Sequence, residues 1–172
     1  VTESPATIMP NLTPEKEALV LEALRVKFAG VSGMSNVIVE MPVIDSKQDE
    51  IDKLTVTNVD GELEIKYCYV SFLGYEDSAT DGCDDAPLVY LNYQAHLFWG
   101  FKEKRSDNSS SEKDFKTLFI NTRSKFLETG RTLAAGAEHT PLAQTNSIIL
   151  GDDPLTGAYG FFVDLSLRVE VP

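Results

Sequence analysis

The chain has 172 residues, of which 42% are hydrophobic, and its formal net charge at pH 7 is -12. This length and composition predict one ordinary domain that can bury a sizeable core. The charge argues against a protein that grips nucleic acid, because phosphate binding depends on clustered Lys and Arg side chains. Such an acidic surface either only keeps the protein soluble or repels DNA, so that DNA can move past it without binding.

Cysteine content and hydropathy indicate in which cellular compartment the protein resides. Cys68 and Cys83 are too sparse for a disulfide framework and lack the spacing of a zinc site, so we expect two free thiols in a reducing compartment. A single bridge between them stays open as an alternative. No segment approaches the roughly 20 apolar residues of a membrane span, and the N-terminus has no signal-peptide pattern. We therefore expect a soluble protein.

The first part of the chain predicts an arm and a helix. Residues 1–12 have two prolines and no hydrophobic period, which indicates an extended arm before a core of residues 13–172. Thr13 is a good N-cap, followed by Pro14 at the first helical position. An apolar stripe with helical spacing follows, and glycines end it: Leu21, Leu24, Phe28 and Val31, then Gly30 and Gly33.

A hairpin is the clearest signal in the middle of the chain. Residues 36–43 predict a short strand near a sheet edge, and the next ten residues a polar connection. Residues 54–57 and 62–73 flank Asp60-Gly61, a pair that readily forms a tight turn. In the outgoing strand the alternation predicts one buried face and one wetter face. The buried set is Leu63, Ile65, Tyr67 and Tyr69, and the wetter set is Glu62, Glu64, Lys66 and Cys68.

The second half predicts strand, helix, loop and strand. Residues 74–87 form an acidic loop, and residues 88–101 a long strand. A serine-capped helix follows at 109–129, then a mostly irregular segment, 130–157, with a short strand at 147–150. The chain ends on a strand at 159–171. The inward sets are Val89, Leu91, Tyr93, Ala95, Leu97, Trp99 and Phe101; Phe115, Leu118, Phe119, Thr122 and Phe126; and Phe161, Val163, Leu165, Leu167, Val169 and Val171.

These elements predict an α+β domain. Its antiparallel or mixed sheet has four to six strands, with the two amphipathic helices packed on one face.

Few residues offer chemistry. We expect His96 to be a hydrogen-bonded sheet residue and His139 a solvated loop residue. The acidic loop and Asp152-Asp153 are interpreted as solvated turns, with calcium at the loop as an alternative. The loop carboxylates are Asp77, Asp81, Asp84 and Asp85. Phosphate loops, nucleophile elbows and paired metal-binding histidines are missing, so no catalytic, metal or cofactor residue is predicted, and no enzyme.

The aromatic residues around the long strand are typical of core and sheet packing. A base-stacking surface would come with basic grooves, which this acidic chain lacks. The aromatic residues are Tyr90, Tyr93, Phe98, Trp99 and Phe101.

The order of elements resembles the tail-terminator and head-to-tail connector (neck) proteins of long-tailed bacteriophages and phage-like particles. The resemblance covers most of the chain from residue 13 onward and has no invariant motif. It depends on a leading helix, a middle hairpin and three stretches of the second half. Those stretches are YLNYQAHLFWGFKEK, SSSEKDFKTLFINTRSKFLE and AYGFFVDLSLRVEV.

The resemblance implies a structural virion protein, made in the host cytoplasm, that forms a homo-oligomeric ring, a homohexamer. Such a ring joins tail tube to head, contacts tail-tube and head-completion proteins, and lets DNA pass through its channel. We expect residues 1–12, 74–87 and 131–157 to make these contacts, since long irregular segments are commonly functional. A minor tail protein is an alternative.

Two classes of rival remain. A monomeric ligand-binding domain would have a concave apolar cavity between sheet and helices. An enzyme would need His96 beside a carboxylate and a nucleophile.

Overall fold

The computed structural model describes residues 12–40, 46–57, 61, 63–77, 88–101, 109–127 and 130–172. Three helices lie in these ranges: α1 (Pro14–Ala29), α2 (Lys47–Leu54) and α3 (Ser109–Leu127), with a short 3-10 turn at Ala134–Gly136. Eight strands accompany them. They are β1 (Val37–Ile38), β2 (Thr55–Thr57), β3 (Leu63–Asp77), β4 (Val89–Phe101), β5 (Glu138–His139), β6 (Ala143–Gln144), β7 (Ile149–Asp152) and β8 (Tyr159–Val171).

The described strands form one mixed sheet around three long ones. β3, β4 and β8 are antiparallel neighbours in that order. On the far side of β3, β1 pairs in parallel and β2 antiparallel. On the far side of β8, β5, β6 and β7 pair antiparallel in succession. The α+β class is confirmed, whereas the expected four to six strands are too few, because the segment 130–157 supplies three short strands to the edge of β8.

Helix α1 begins as predicted. The Thr13 side chain accepts a hydrogen bond from the Lys16 backbone N–H, and Pro14 occupies the first turn. The helix ends at Ala29, and Gly33 adopts a φ of 85°, a conformation that favours glycine. Leu24, Phe28 and Val31 are buried. The apolar stripe therefore packs on the sheet, as its spacing predicts.

Helix α3 packs beside α1 on the same face of the sheet. The rings of Phe28 and Phe126 lie 4.4 Å apart, and Phe115 stacks on Phe161 of β8 at 5.9 Å. Both helices share one core with the inward positions of β4 and β8. The predicted pair of helices on one face is confirmed, and α3 is helical throughout its described residues, Ser109–Leu127, whereas the last two residues of the predicted helix lie outside the described residues.

The opposite face of the sheet has its own smaller core. Leu54, at the end of α2, packs with Ile65, Tyr67, Phe98 and Phe162. The prediction of a polar connection before β2 is wrong, because this segment forms the helix α2 and buries its one leucine. Only two apolar residues, Ile51 and Leu54, lie among the polar and charged residues of α2, and this weak periodic signal explains why the sequence pattern missed the helix.

The prediction of a wetter face on β3 is also wrong. Glu64, Lys66 and Cys68 are all buried, whereas Leu63, from the set predicted to be buried, is 40% exposed. Trp99 shields the first two: its indole N–H donates to Glu64 at 2.8 Å, and the Lys66 ammonium lies 3.8 Å from its ring centre. Such pairing makes buried charge tolerable.

Strand boundaries differ from prediction in two more places. β1 is only two residues long, Val37–Ile38, against the predicted run of 36–43. β3 continues to Asp77, past a register irregularity between Phe72 and Gly74, so the start of the expected acidic loop is strand. The rest of that loop, including Cys83, Asp81, Asp84 and Asp85, lies outside the described residues, as does the arm apart from Leu12. The Asp60-Gly61 turn is only partly described, with Gly61 at a φ of 79°.

Glycines occupy one row across three strands. Gly100 of β4 and Gly151 of β7 both lie opposite Gly160 of β8. A Cβ atom on Gly160 would lie 2.3 Å from the Gly100 Cα and 2.5 Å from the Trp99 carbonyl oxygen. At Gly151 a Cβ would meet only the Ile149 Cγ2, at 3.9 Å. The backbones of β4 and β8 thus approach closely at this row only because side chains are missing.

Gly160→Ala should therefore lower the free energy of unfolding by about 1–3 kcal/mol or more, because backbone atoms cannot move aside as a flexible side chain can. Gly151→Ala, in the same row, is the matched control and should change stability by less than about 1 kcal/mol. Urea denaturation followed by circular dichroism measures both. Equal effects of the two substitutions would show that the close approach has no energetic consequence.

Candidate functional site

A buried ionic cluster lies on the sheet face opposite α1 and α3. His96 of β4 pairs directly with Asp164 of β8, and its Nδ1 lies 2.6 Å from an oxygen of that carboxylate. Its Nε2 lies 2.8 Å from an oxygen of Asp153, which follows β7. His96 is 5% exposed and Asp153 2%. The imidazole is therefore held between two carboxylates from different parts of the chain.

Asp153 collects several donors. The hydroxyl groups of Tyr67 and Thr156 donate to the same carboxylate oxygen, the second at 2.5 Å. The backbone N–H groups of Leu155 and Thr156 donate at 3.3 and 3.1 Å. This is how an Asp side chain stabilises its own turn. Asp152-Asp153 was predicted as a solvated turn, but Asp152 ends strand β7, and Asp153, which leads into the turn at 154–156, is buried.

Asp164 organises the segment between β6 and β7. The Asn146 side-chain amide donates to its carboxylate at 2.7 Å, and the Asp164 backbone N–H donates to the Asn146 side-chain oxygen at 2.8 Å. The Asp164 carbonyl accepts from the N–H and the hydroxyl of Thr145, both at 3.0 Å. The cluster thus fixes the course of residues 145–156 along the edge of β8.

The two carboxylates decide the charge of His96. Burial alone disfavours the imidazolium, but hydrogen bonds to Asp153 and Asp164 outweigh burial and raise the pKa of His96 above its usual 6.5. Burial likewise opposes the charge on Asp153, yet the donors His96, Thr156 and Tyr67 lower its pKa below 3.8. Both ring nitrogens face carboxylate oxygens, so the geometry fits an imidazolium that donates to Asp153 and to Asp164.

This geometry does not suit acid–base catalysis. A general base needs a ring nitrogen within reach of a substrate proton, and both nitrogens of His96 are already bound to carboxylates. The nearby hydroxyls, on Tyr67 and Thr156, donate to Asp153. The carboxylates that the enzyme alternative requires are present, but within the described residues both ring nitrogens of the histidine contact carboxylates and neither contacts a hydroxyl. The prediction that His96 is a hydrogen-bonded sheet residue is confirmed.

The prediction for His139 is wrong. It lies in β5 and is 2% exposed, with the Phe126 ring 5.0 Å away. Its Nδ1–H donates to the Thr140 carbonyl at 2.7 Å, so its Nε2 accepts from the Lys27 ammonium at 2.6 Å. Burial and the charges of Lys27 and Arg131 lower the pKa of His139, against the opposing hydrogen bond to Thr140. This histidine joins the end of α1 to β5.

An open groove of about 520 Å³ lies on the same sheet face as the ionic cluster, toward the other end of the long strands. Its floor includes Asn92, Ser166 and Arg168, and its sides are the end of β3 and residues 140–143. Arg168 stacks on the Tyr90 ring at 3.9 Å and binds Glu76 at 2.9 Å. For a ligand-binding domain, the sequence predicted an apolar cavity between the sheet and the helices. This groove lies instead on the face of the sheet opposite α1 and α3.

The structure describes some of the other residues that the sequence analysis considered. Cys68 is a free, buried thiol whose pKa is raised by burial. Tyr93 and Phe98 are fully buried, as expected for packing. Within the described residues, no three His, Cys, Asp or Glu side chains form a metal-binding group, and no helix is long and apolar enough to cross a membrane.

Sequence reasoning singled out His96 but missed its partners. The only signal was positional: His96 and Asp164 both lie on the outward-facing alternation of apolar strands, where a charged pair across neighbouring strands stabilises a sheet. Asp153 gave no such signal because it lies in a turn. No family model matches this chain, and no curated protein does.

His96→Leu should lower the free energy of unfolding by about 3–5 kcal/mol at neutral pH, because the buried Asp153 and the partly buried Asp164 lose their common partner. The defect should shrink as the pH rises through the folded pKa of His96, because the unmodified protein then loses the same proton that the leucine variant lacks. Gln94→Leu, on the same strand and face, is the control and should cost less than about 1 kcal/mol. Urea denaturation at several pH values measures both, and a pH-independent defect would contradict the charged cluster.

The two histidines should titrate in opposite directions. The folded pKa of His96 lies above 6.5, so its proton stabilises the fold below that pH and this contribution is lost as the pH rises through the folded value. The folded pKa of His139 lies below 6.5, so it costs stability as the pH falls below 6.5. NMR titration of the imidazole signals, assigned with His96→Leu, tests this; two values on the same side of 6.5 would refute it.

Proposed function

We propose that this chain is a structural subunit of a homo-oligomeric ring at the head–tail junction of a phage or phage-like particle. It acts as a tail terminator or other neck component, and DNA passes through the ring without specific binding. The ring contacts tail-tube and head-completion proteins in the virion. The support comes from exposed apolar surface, from the charge, and from the geometry around His96.

The observation that carries the proposal is the number of large apolar side chains left in solvent. Monomeric proteins rarely expose contiguous apolar patches, and such patches mark sites of protein contact. Within the described residues, large exposed apolar side chains lie on α1 and α3, at the start and in the second half of β3, and in or just after β7. They are Leu19, Val26, Leu63, Phe72, Leu73, Tyr75, Ile120, Leu127, Ile149, Leu150 and Leu155.

The charge distribution suits a DNA channel. A surface that DNA slides past needs like-charge repulsion and few donors to phosphate. In the described groove, Arg168 is already bound to Glu76, which also accepts from the Asn92 side-chain amide at 3.2 Å. Together with the net charge of -12, this leaves little to hold a phosphate.

The cluster around His96 supports a structural role over an enzymatic one. Its groups satisfy one another, and the histidine and Asp153 are almost fully buried. Preorganised, satisfied polar groups of this kind make a fold rigid and unique. Rigidity of this type is what a ring subunit requires.

Two alternatives use the same surfaces differently. A minor tail protein would share the exposed apolar side chains and the acidic charge. A monomeric ligand-binding domain is favoured by one observation, the groove of about 520 Å³, whose size suits a small ligand. With a floor of Asn92, Ser166 and Arg168, such a ligand would be polar.

The mass of the purified chain in solution tests the proposal. Light scattering should give a multiple of 19.0 kDa, and micrographs should show rings. Assembly should increase between about 0.01 M and 1 M salt, because the Debye length falls from roughly 30 Å to 3 Å and screens the repulsion between acidic copies.

A strict monomer at high concentration in both salts would overturn the ring. If that monomer were also stabilised against heat by a small polar molecule, and Arg168→Met abolished the stabilisation, the ligand-binding alternative would take its place.

A further inference from the structure

One edge of the sheet is open along the second half of β3. β2 pairs with residues 63–65 and β1 with Cys68 and Tyr69, so from Val70 onward the described strands flank β3 only on the β4 side. The Cys68 N–H donates to the Asn36 carbonyl, away from β4. Because backbone groups alternate along a strand, those of Val70 and Phe72 point the same way. Among the described strands, none pairs with the backbone groups of Val70 and Phe72 at this edge.

The side chains along this edge are apolar and exposed. Leu73 is 59% and Tyr75 60% exposed, and Phe72 is exposed beside the Tyr93 ring. A long apolar edge strand invites pairing with another chain unless something blocks it. The register irregularity after Phe72 shortens the regular run but does not add charge.

A second open edge lies at the opposite side of the sheet. β7 pairs with β8 and, among the described strands, with no other. The Asp153 N–H donates to the Ala158 carbonyl, toward β8, so the backbone groups of Leu150 and Asp152 point away from it. Ile149 and Leu150 are exposed. The two edges are of similar short length and both present apolar side chains.

Charge makes these edges the easiest places for copies to meet. Residues 68–75 and 141–151 contain no charged side chain, in a chain whose net charge is -12. Two identical acidic surfaces repel each other, whereas uncharged strips approach without that cost. Apolar side chains on both strips then gain from burial.

We propose that the open edge of β3 in one copy pairs with the open edge of β7 in a second copy, continuing the sheet between subunits. The two edges differ, so the contact is heterologous and generates a closed ring when the rotation closes. This interface rests on the proposed function and names the surfaces that build the ring. The occupant of each edge is a second copy of this chain.

Two charge variants test the interface. Leu73→Lys and Leu150→Lys each place a charge on one edge and leave the other edge intact, so each alone should remain at 19.0 kDa in light scattering. Mixed in equal amounts, they should form a dimer and stop there, because only one intact β3 edge and one intact β7 edge remain to pair. Ser124→Lys, at an exposed position of α3 outside the set of exposed apolar side chains, is the control and should assemble normally.

A backbone variant tests the strand pairing itself. Phe72→Pro removes an N–H that points away from β4, so the β3–β4 ladder is kept while the edge loses a donor. Phe72→Ala removes the same side chain and keeps the N–H. Assembly should be weakened far more by proline than by alanine, with unchanged circular dichroism in both.

The outcomes separate this interface from the ring itself. If the unmodified chain forms rings and both lysine variants still do so, the edge pairing is overturned and the ring stands. A mixture that stays monomeric refutes the β3–β7 pairing, as does assembly of Leu150→Lys alone. A monomeric unmodified chain overturns both.

Discussion

The His96 imidazolium between Asp153 and Asp164 is the interaction on which the arrangement of the sheet depends. It connects β4, β8 and the turn after β7, and through Tyr67 it reaches β3. A buried cation with two carboxylates is costly unless each charge is paired and hydrogen-bonded, and here each one is. Because Asp153 is held in this way, β7 keeps a fixed position at the sheet edge, where an incoming strand would find it preorganised.

The two faces of the sheet are used differently. One face is a continuous apolar core under α1 and α3. The other changes along the strands, from an apolar end covered by Leu54 of α2, through the ionic cluster, to the open groove around Asn92 and Arg168. The buried ionic cluster and the open groove thus lie on the same face of the sheet. The groove and the β3 and β7 edges lie outside the core under α1 and α3, where they can take part in contacts.

The acidic charge constrains how such a subunit can assemble. Copies carrying a net charge of -12 repel one another, so contact favours uncharged strips. The uncharged strips at β3 and β7 are also the open edges of the sheet. A contact there would combine hydrogen bonds between strand backbones with burial of apolar side chains. In the proposed ring, the same charge would let DNA pass without binding, since it offers few cations to phosphate.

The sequence alone determined the elements with strong periodic signals: the Thr13-capped helix, the alternation of β4 and β8, and the stripe of α3. Those patterns are local, and they report which face of each element is apolar. Only the tertiary structure decided that Asp153 meets His96, that His139 and Lys66 are buried, and that residues 130–157 add strands to β8. These outcomes depend on contacts between residues far apart in the chain, where polar side chains become buried only because distant partners satisfy their charges and hydrogen bonds.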